Sequence, residues 1–405
     1  MTPFRSPAFR RLWCSGVAAS AAHGLERTAT AWLALEAGGG AVAVGLIFAA
    51  RMLPSLLFGL AAGTIADRAD RPRQLLAVAV AALLLMGGFG WLVGAGGVQA
   101  WQVVVFAFAA GCLQVFDTPA RQALVLDTVS RDLALRGLAL TALAARCATA
   151  VGALGAGLLI PLGGVAWCFA VVAALYGLTA LVIAPLRVAQ GHRGRGAPPP
   201  FRQALRDATR LMLGVPALRT LVLAGVVCEV FAFSHMTALP LFAQDVLGAG
   251  AAGLGTLNAA AALGGAVAVA FLALLPDRGR REPLLGAIFL SYGLAIMGLA
   301  LTRSLAVASA VLLVIGCCAA AFDVLQQTLI QMAVPDEQRG RAVGIWVLSI
   351  GSAPLGHLEM GLLIAALGAP GALLLNGAVT VAAAALLLAR APGYRWAPRA
   401  RTAAD

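Results

Sequence analysis

Ionisable side chains sit inside long apolar runs of this chain. His23, Glu26 and Arg27 fall in the first run, Arg51 in the second, Arg146 in the fifth, Glu229 and His235 in the seventh, and His357 and Glu359 in the eleventh. A charge at bilayer depth is costly, so such a group either locks two helices in an ion pair or serves a substrate or proton path. Both roles are open at each position. His23 and Glu26 are three apart and share a helix face, whereas His357 and Glu359 are two apart and point to different sides. Asp117 and Asp323 lie nearer run ends, and Gln326, Gln327 and Gln331 make the tenth run polar. Enzyme chemistry has no signature. The four His residues lack zinc spacing, Gly152, Gly155 and Gly157 follow no strand, and no phosphate-binding Gly-Lys-Ser loop occurs. No metal or cofactor is expected.

The elements that position these groups follow from composition. The chain has 405 residues, 61% hydrophobic and 11% charged, with a mean hydropathy of +0.91. A soluble domain carries about 25% charged residues, so most of this chain belongs in a bilayer. Twelve runs have the length to cross one: 12–35, 42–66, 74–95, 101–122, 138–160, 165–187, 217–240, 252–275, 284–302, 304–331, 343–366 and 370–390. Ala and Leu dominate without alternation, which selects helices over a barrel. The first run is too long for a cleavable signal, and no small-residue cleavage site follows it. The seven cysteines show neither metal-ligand spacing nor a disulfide framework.

All 29 basic residues are Arg, and the net charge is +12. They form no single basic face, so nucleic acid is not an expected partner. Apart from Arg27, Arg51, Arg146 and Arg303, they cluster at the termini and in or beside the connections after runs 2, 4, 6, 8 and 10. The positive-inside rule then places both termini in the cytoplasm of a bacterial inner membrane. The longest connection, 188–216, holds three consecutive prolines at 198–200 and then an amphipathic helix from Phe201 to Leu213. It divides the chain into bundles 1–187 and 217–405, the latter ending in a cytoplasmic tail.

The halves repeat. Pro7-Ala8-Phe9-Arg10 matches Pro216-Ala217-Leu218-Arg219 at an offset of 209, Asp67-Arg68 matches Asp277-Arg278 at 210, and Phe116-Asp117 matches Phe322-Asp323 at 206. Two parallel repeats place a substrate site at their interface near mid-membrane. The segment GTIADRADRPR, with Gly63, Asp67, Arg68, Arg71 and Arg73, resembles the loop signature of the major facilitator superfamily, with Asp70 in place of the usual Gly. PDRGRRE, from 276 to 282, resembles its second copy. FDTPARQALV, VPDEQRGRAVGIW and SAPLGHLEMG narrow the resemblance to the branch of enterobactin exporters and macrolide efflux proteins.

The resemblance implies an all-α fold of twelve transmembrane helices in two pseudo-symmetric bundles, working by alternating access. It also implies a cytoplasmic gate of Gly63, Asp67, Arg68, Arg71 and Asp117, with Asp277, Arg278, Arg281 and Asp323 as its second copy. Arg71 would pair with Asp117, and Arg281 with Asp323. The Gly-Pro signature of drug antiporters on helix 5 lacks its Pro here, where Gly152-Ala153-Leu154-Gly155 stands. The expected substrate cavity draws on His23, Glu26, Arg51, Arg146, His235, Gln326 and Gln327. Glu26 and Arg51 lie equally far from the loop between their helices, hence at one depth, which predicts an ion pair and makes Glu26 an anchor. Glu229, twelve residues into helix 7 and about 18 Å along a roughly 30 Å core, faces no cation from helix 8. It is the expected proton-coupling acid, with Glu359 next. The expected protein is a monomeric, proton-coupled exporter of a lipophilic drug or metabolite, with the bilayer, protons and a small molecule as its partners. An importer of a small polar solute and a non-transporting membrane sensor are the alternatives.

Overall fold

The computed structural model describes residues 2–188, 201–274, 281–335, 338, 344–346 and 349–390. In hydrocarbon each backbone amide must find its partner within the chain, and a helix supplies it locally. The described residues are accordingly helical and contain no strand. Helix α1 (Pro7–Glu36) is opened by Ser6, whose hydroxyl accepts from the Phe9 amide at 3.2 Å, with Pro7 in the first turn where no amide is needed. Asp70 separates α2 (Gly40–Arg68) from α3 (Arg71–Gly94) and caps α3 by accepting from the Arg73 amide at 3.1 Å. Next come α4 (Ala100–Thr128) and α5 (Ala134–Ile183). The connection carries α6 (Phe201–Gly214), the expected amphipathic helix. The second half is built of α7 (Pro216–Val246), α8 (Gly250–Leu274), α9 (Arg281–Leu301), α10 (Leu305–Met332) and α11 (Ala353–Arg390).

Two of these elements are hairpins of two arms. Gly164 (φ 77°) interrupts α5 and Gly368 (φ 72°) interrupts α11, each in a backbone region that an L side chain disfavours. Near the start of α5, a Cβ on Gly137 would touch the Phe9 ring at 3.5 Å, and at its end Ile183 packs in the same cluster as Phe9. The chain therefore leaves and regains the side on which α1 begins, called here the near side. Among the described residues nine helices are long and apolar enough to cross a membrane, a set that omits α1 and takes α5 and α11 once each. The expected twelve is therefore not reached as a count of continuous helices. Trp91, Leu158, Leu181 and Phe271 stand exposed, which suits acyl chains around the protein.

The first half packs around Phe89, Phe106 and Phe169, and the second around Phe242, Phe289, Tyr292 and Phe322. The halves meet where α5 lies on α8 and α11 lies on α2. Both contacts are closest toward the far side, and both depend on glycine. A Cβ on Gly255 would stand 2.6 Å from the Ala153 carbonyl oxygen and 2.8 Å from Gly157 Cα. A Cβ on Gly45 would stand 2.6 Å from the His357 carbonyl oxygen. The two contacts are copies of each other, since Gly255 lies 210 positions after Gly45, and Gly361, which faces Gly45, lies 204 after Gly157. Such small-residue crossings let backbones approach where lipid offers no hydrophobic drive. Gly255→Leu is expected to cost roughly 1–3 kcal/mol by overpacking, read as a lowered thermal unfolding midpoint in detergent. Gly88→Ala, at an exposed helical glycine with open space around it, serves as the control and leaves the midpoint in place.

Candidate functional site

Between the bundles lies a cavity. Its deep part, about 440 Å³, is walled by His23, Arg27, Gln114, Arg146 and Thr149 from the first half and by Phe233, His235, Leu239, Asn258 and Asp323 from the second. Toward the near side it continues into a space of about 670 Å³, past Arg51, Asp117, Arg121 and Gln327 to Val125 and Leu135. On its far side Asn258 donates to the Thr28 hydroxyl at 3.1 Å, Arg27 reaches the Met236 sulfur at 3.2 Å, and the rings of Phe48 and His357 lie 5.4 Å apart. With the glycine crossings these contacts close the far side.

Most charges along the cavity are neutralised within the first half. Arg51 Nη1 donates to Glu26 Oε1 at 2.8 Å, the expected pair, with both side chains buried. Arg51 Nη2 donates to His23 Nδ1 at 3.2 Å and to Gln114 Oε1 at 3.4 Å, and Thr30 donates to Glu26 at 3.1 Å. A guanidinium only donates, so His23 Nδ1 is the acceptor in that contact. Arg121 grips Asp117 with two hydrogen bonds, at 2.8 and 2.9 Å, and reaches Ser15 at 3.2 Å. By contrast, Arg146 makes no hydrogen bond or ion pair with a described residue, and the Met236 sulfur is the one hydrogen-bond partner of Arg27 among them.

Several expectations need correction. Glu26 is not on the cavity wall: it is 1% exposed, behind Arg51. Gln326 is buried too, donating to the Leu221 carbonyl at 2.9 Å, and it ties α10 to α7. Gln327 does line the cavity mouth. Arg71 pairs with Asp127 rather than Asp117. The physical reason is depth: Asp127 ends α4 beside the loop, while Asp117 lies ten residues, or about 15 Å, inside. Asp323 forms no ion pair with Arg281, for it likewise lies more than two turns inside α10 and faces the cavity. Gly63 sits within α2 with open space around it. The side chains of Asp67 and Arg68, and residues Asp277 and Arg278, lie outside the described residues.

Glu229 falls in a π-helical turn, Cys228–Ala232, and makes no hydrogen bond or ion pair with a described residue. Turns of this kind recur at functional sites. Glu359 accepts from Asn376 at 3.0 Å, a bond between the two arms of α11. His235 donates from Nδ1 to the Ala232 carbonyl at 2.7 Å, and His357 meets Thr237 at 2.8 Å. Sequence reading missed the Arg121–Asp117 pair, although the spacing of four residues advertises it. It missed Asp127 because helix 4 was ended at 122, six residues early.

Two bundles that repeat each other, closed on one side of a polar cavity and joined by small-residue crossings, define a membrane transporter of the major facilitator type. Residues 1–400 match the transmembrane secretion effector family, and the chain belongs to that family. It is 27% identical over 406 residues to the multidrug efflux pump Tap of Mycobacterium tuberculosis, covering 96% of this chain and 94% of that one. It is 22% identical over 339 residues to the staphyloferrin A transporter of Staphylococcus aureus, covering 81% and 82% of the two chains. A POT family transporter solved in complex with 5-aminolevulinic acid shares the fold at a TM-score of 0.76 and 10% identity over 96% of each chain. The protein is a transporter and not an enzyme.

The Glu26–Arg51 pair has a measurable weight. Breaking a buried pair by removing one partner costs on the order of 3–5 kcal/mol, because the other charge stays buried. Glu26→Gln is expected to lower the unfolding midpoint accordingly, and adding Arg51→Leu to recover part of the loss. A double variant no more stable than Glu26→Gln alone would show that the pair is not the source of that cost.

Proposed function

We propose that this transporter exports a lipophilic drug or metabolite against an inward proton gradient by alternating access. One observation carries the reading: a single cavity, walled by both bundles and charged at its deep end, is closed on the far side and runs to the near side. The Arg-rich connections lie on that near side, so under the positive-inside rule the cavity opens to the cytoplasm, where an exporter loads. The similarity to the Tap efflux pump supports the direction. Uptake of a polar solute also suits the Gln114, Thr118 and Thr149 wall, and loaded cells that accumulate rather than expel a probe would decide for it.

The orientation is tested first. Single-Cys variants of a Cys-less protein at Gly97 and Ser130 are treated with an impermeant thiol reagent from outside intact cells. Labelling at 97 and protection at 130 is the expected result, and the reverse would turn the protein over.

Glu229 is assigned the coupling role. Its side chain makes no hydrogen bond or ion pair with a described residue, and the acid Asp323 lies within its electrostatic reach. Glu359 is tied to Asn376 and comes second. Glu229→Gln in proteoliposomes is expected to abolish transport driven by an imposed pH gradient while leaving substrate counterflow. Gradient-driven transport that persists undiminished would move the assignment to Glu359.

A further inference from the structure

The Arg residues at membrane depth fall into two groups. Arg51 and Arg121 each hold a carboxylate at 2.8 Å and are electrically complete. Arg27 and Arg146 are not. Both line the deep part of the cavity. Arg146 makes no hydrogen bond or ion pair with a described residue, and its guanidinium lies against the small α8 residue Gly265, where a Cβ would come within 3.0 Å of Nη1. Among the described residues the one hydrogen-bond acceptor of Arg27 is a thioether, a weak one, and Glu26, the carboxylate within its electrostatic reach, is already bonded to Arg51. The wall of this part carries one carboxylate, Asp323, which lies within electrostatic reach of Arg146 but forms no ion pair with it. Two guanidiniums thus face one carboxylate. Unpaired charge at such depth is expensive to keep, and a ligand that supplies the countercharge recovers that cost.

We infer that the deep end of the cavity binds the anionic group of an amphipathic substrate, a carboxylate or phosphate, between Arg27 and Arg146. A guanidinium presents its donors in a planar fork that matches either oxyanion. The rest of the ligand lies against Phe233, Met236, Leu239 and the alanines Ala261, Ala262, Ala319 and Ala320, an apolar surface that accepts a ring system. The volume of about 440 Å³ suits a drug-sized molecule. Arg27 belongs to the first half, and its guanidinium crosses to α7 of the second, so a bound anion contacts both bundles. A permanent cation of the same size would meet two like charges there. The inference rests on reading this cavity as the substrate site.

The test uses the purified full chain in phosphatidylcholine nanodiscs and three probes with one ring system: 2-naphthoxyacetate, its primary amide, and 2-naphthoxyethylammonium. The acetate is expected to bind about tenfold more tightly than the amide, the gain of one charge-assisted contact, and the ammonium more weakly still. Arg27→Gln and Arg146→Gln should each remove about that tenfold gain and leave the amide unchanged. Arg27→Lys keeps the charge and should keep part of the gain, which covers the case in which Arg27→Gln does not fold. Equal binding of the three probes, a preference for the ammonium, or variants that lose all three alike would overturn the inference. Nanodiscs with added phosphatidylglycerol separate the sources of the anion. Competition by the lipid would confirm an anion site and assign it to a headgroup phosphate, whereas undisturbed acetate binding would assign it to a soluble substrate. Counterflow in proteoliposomes keeps the two readings apart. Exchange of the amide or the ammonium without Arg-dependent acetate binding removes the anion site and leaves the transporter. Arg-dependent acetate binding without exchange of any probe does the reverse.

Discussion

A guanidinium is costly to hold inside a bilayer without a countercharge, and in the first bundle Arg51 and Arg121 each meet that cost with a bonded carboxylate. Arg51 on α2 takes Glu26 and His23 from α1 and Gln114 from α4, so one side chain fixes three helices at one depth. Arg121 does the same nearer the mouth, joining Asp117 on its own helix to Ser15 on α1. With α1 pinned on this side, its face with Ser20, Gly24, Arg27 and Thr28 packs on Thr149 of α5 and lines the cavity. The ion pairs between described residues all lie in the first half. The second half is held by its aromatic core and by neutral bonds such as Gln326 to the Leu221 carbonyl and Asn376 to Ser234.

The junction between the bundles is built differently, and that difference permits motion. Among the described residues no ion pair crosses it. What crosses is backbone against backbone at Gly157 with Gly255 and Gly45 with Gly361, the Asn258–Thr28 bond, and a guanidinium on a thioether. Contacts of this kind are shallow and are lost without stranding a buried charge. Each bundle is therefore stiffer than the seam between the two, which is the mechanical condition for alternating access by rocking.

Much of this was legible in the sequence because the bilayer narrows the choices. Apolar run length gave helices, the Arg pattern gave connections, and equal distance from a loop gave the Glu26–Arg51 pair. The errors came from side-chain direction and from helix ends. Glu26 and Gln326 have the residue types of a cavity wall, but helix rotation turns both into the packed interior, and single-sequence reading carries little information on rotation. Asp127 was lost because α4 continues past Pro119 to Thr128, where the apolar pattern fades before the hydrogen-bond ladder does. The two hairpin turns were legible, since the runs break between 160 and 165 and between 366 and 370, around Gly164 and Gly368.

The repeat shows which features the fold requires and which the substrate site adds. Backbone devices recur in both halves: the hairpin glycines and the crossing glycines. Side-chain chemistry does not recur. Asp117 and Asp323 occupy matching places late in α4 and α10. Four residues after Asp117 stands Arg121, which neutralises it with two bonds. Four residues after Asp323 stands Gln327, which carries no charge. Both acids line the cavity, Asp117 bonded to its Arg and Asp323 without an Arg one turn on but within electrostatic reach of Arg146. Arg27 shows the same divergence, for the residue 209 positions on is Met236, the very side chain it touches across the seam. Symmetric backbones let the bundles close against each other, and asymmetric side chains give the space between them a charged end and an apolar wall. A repeat faithful in its side chains as well would give each late acid its own Arg one turn on.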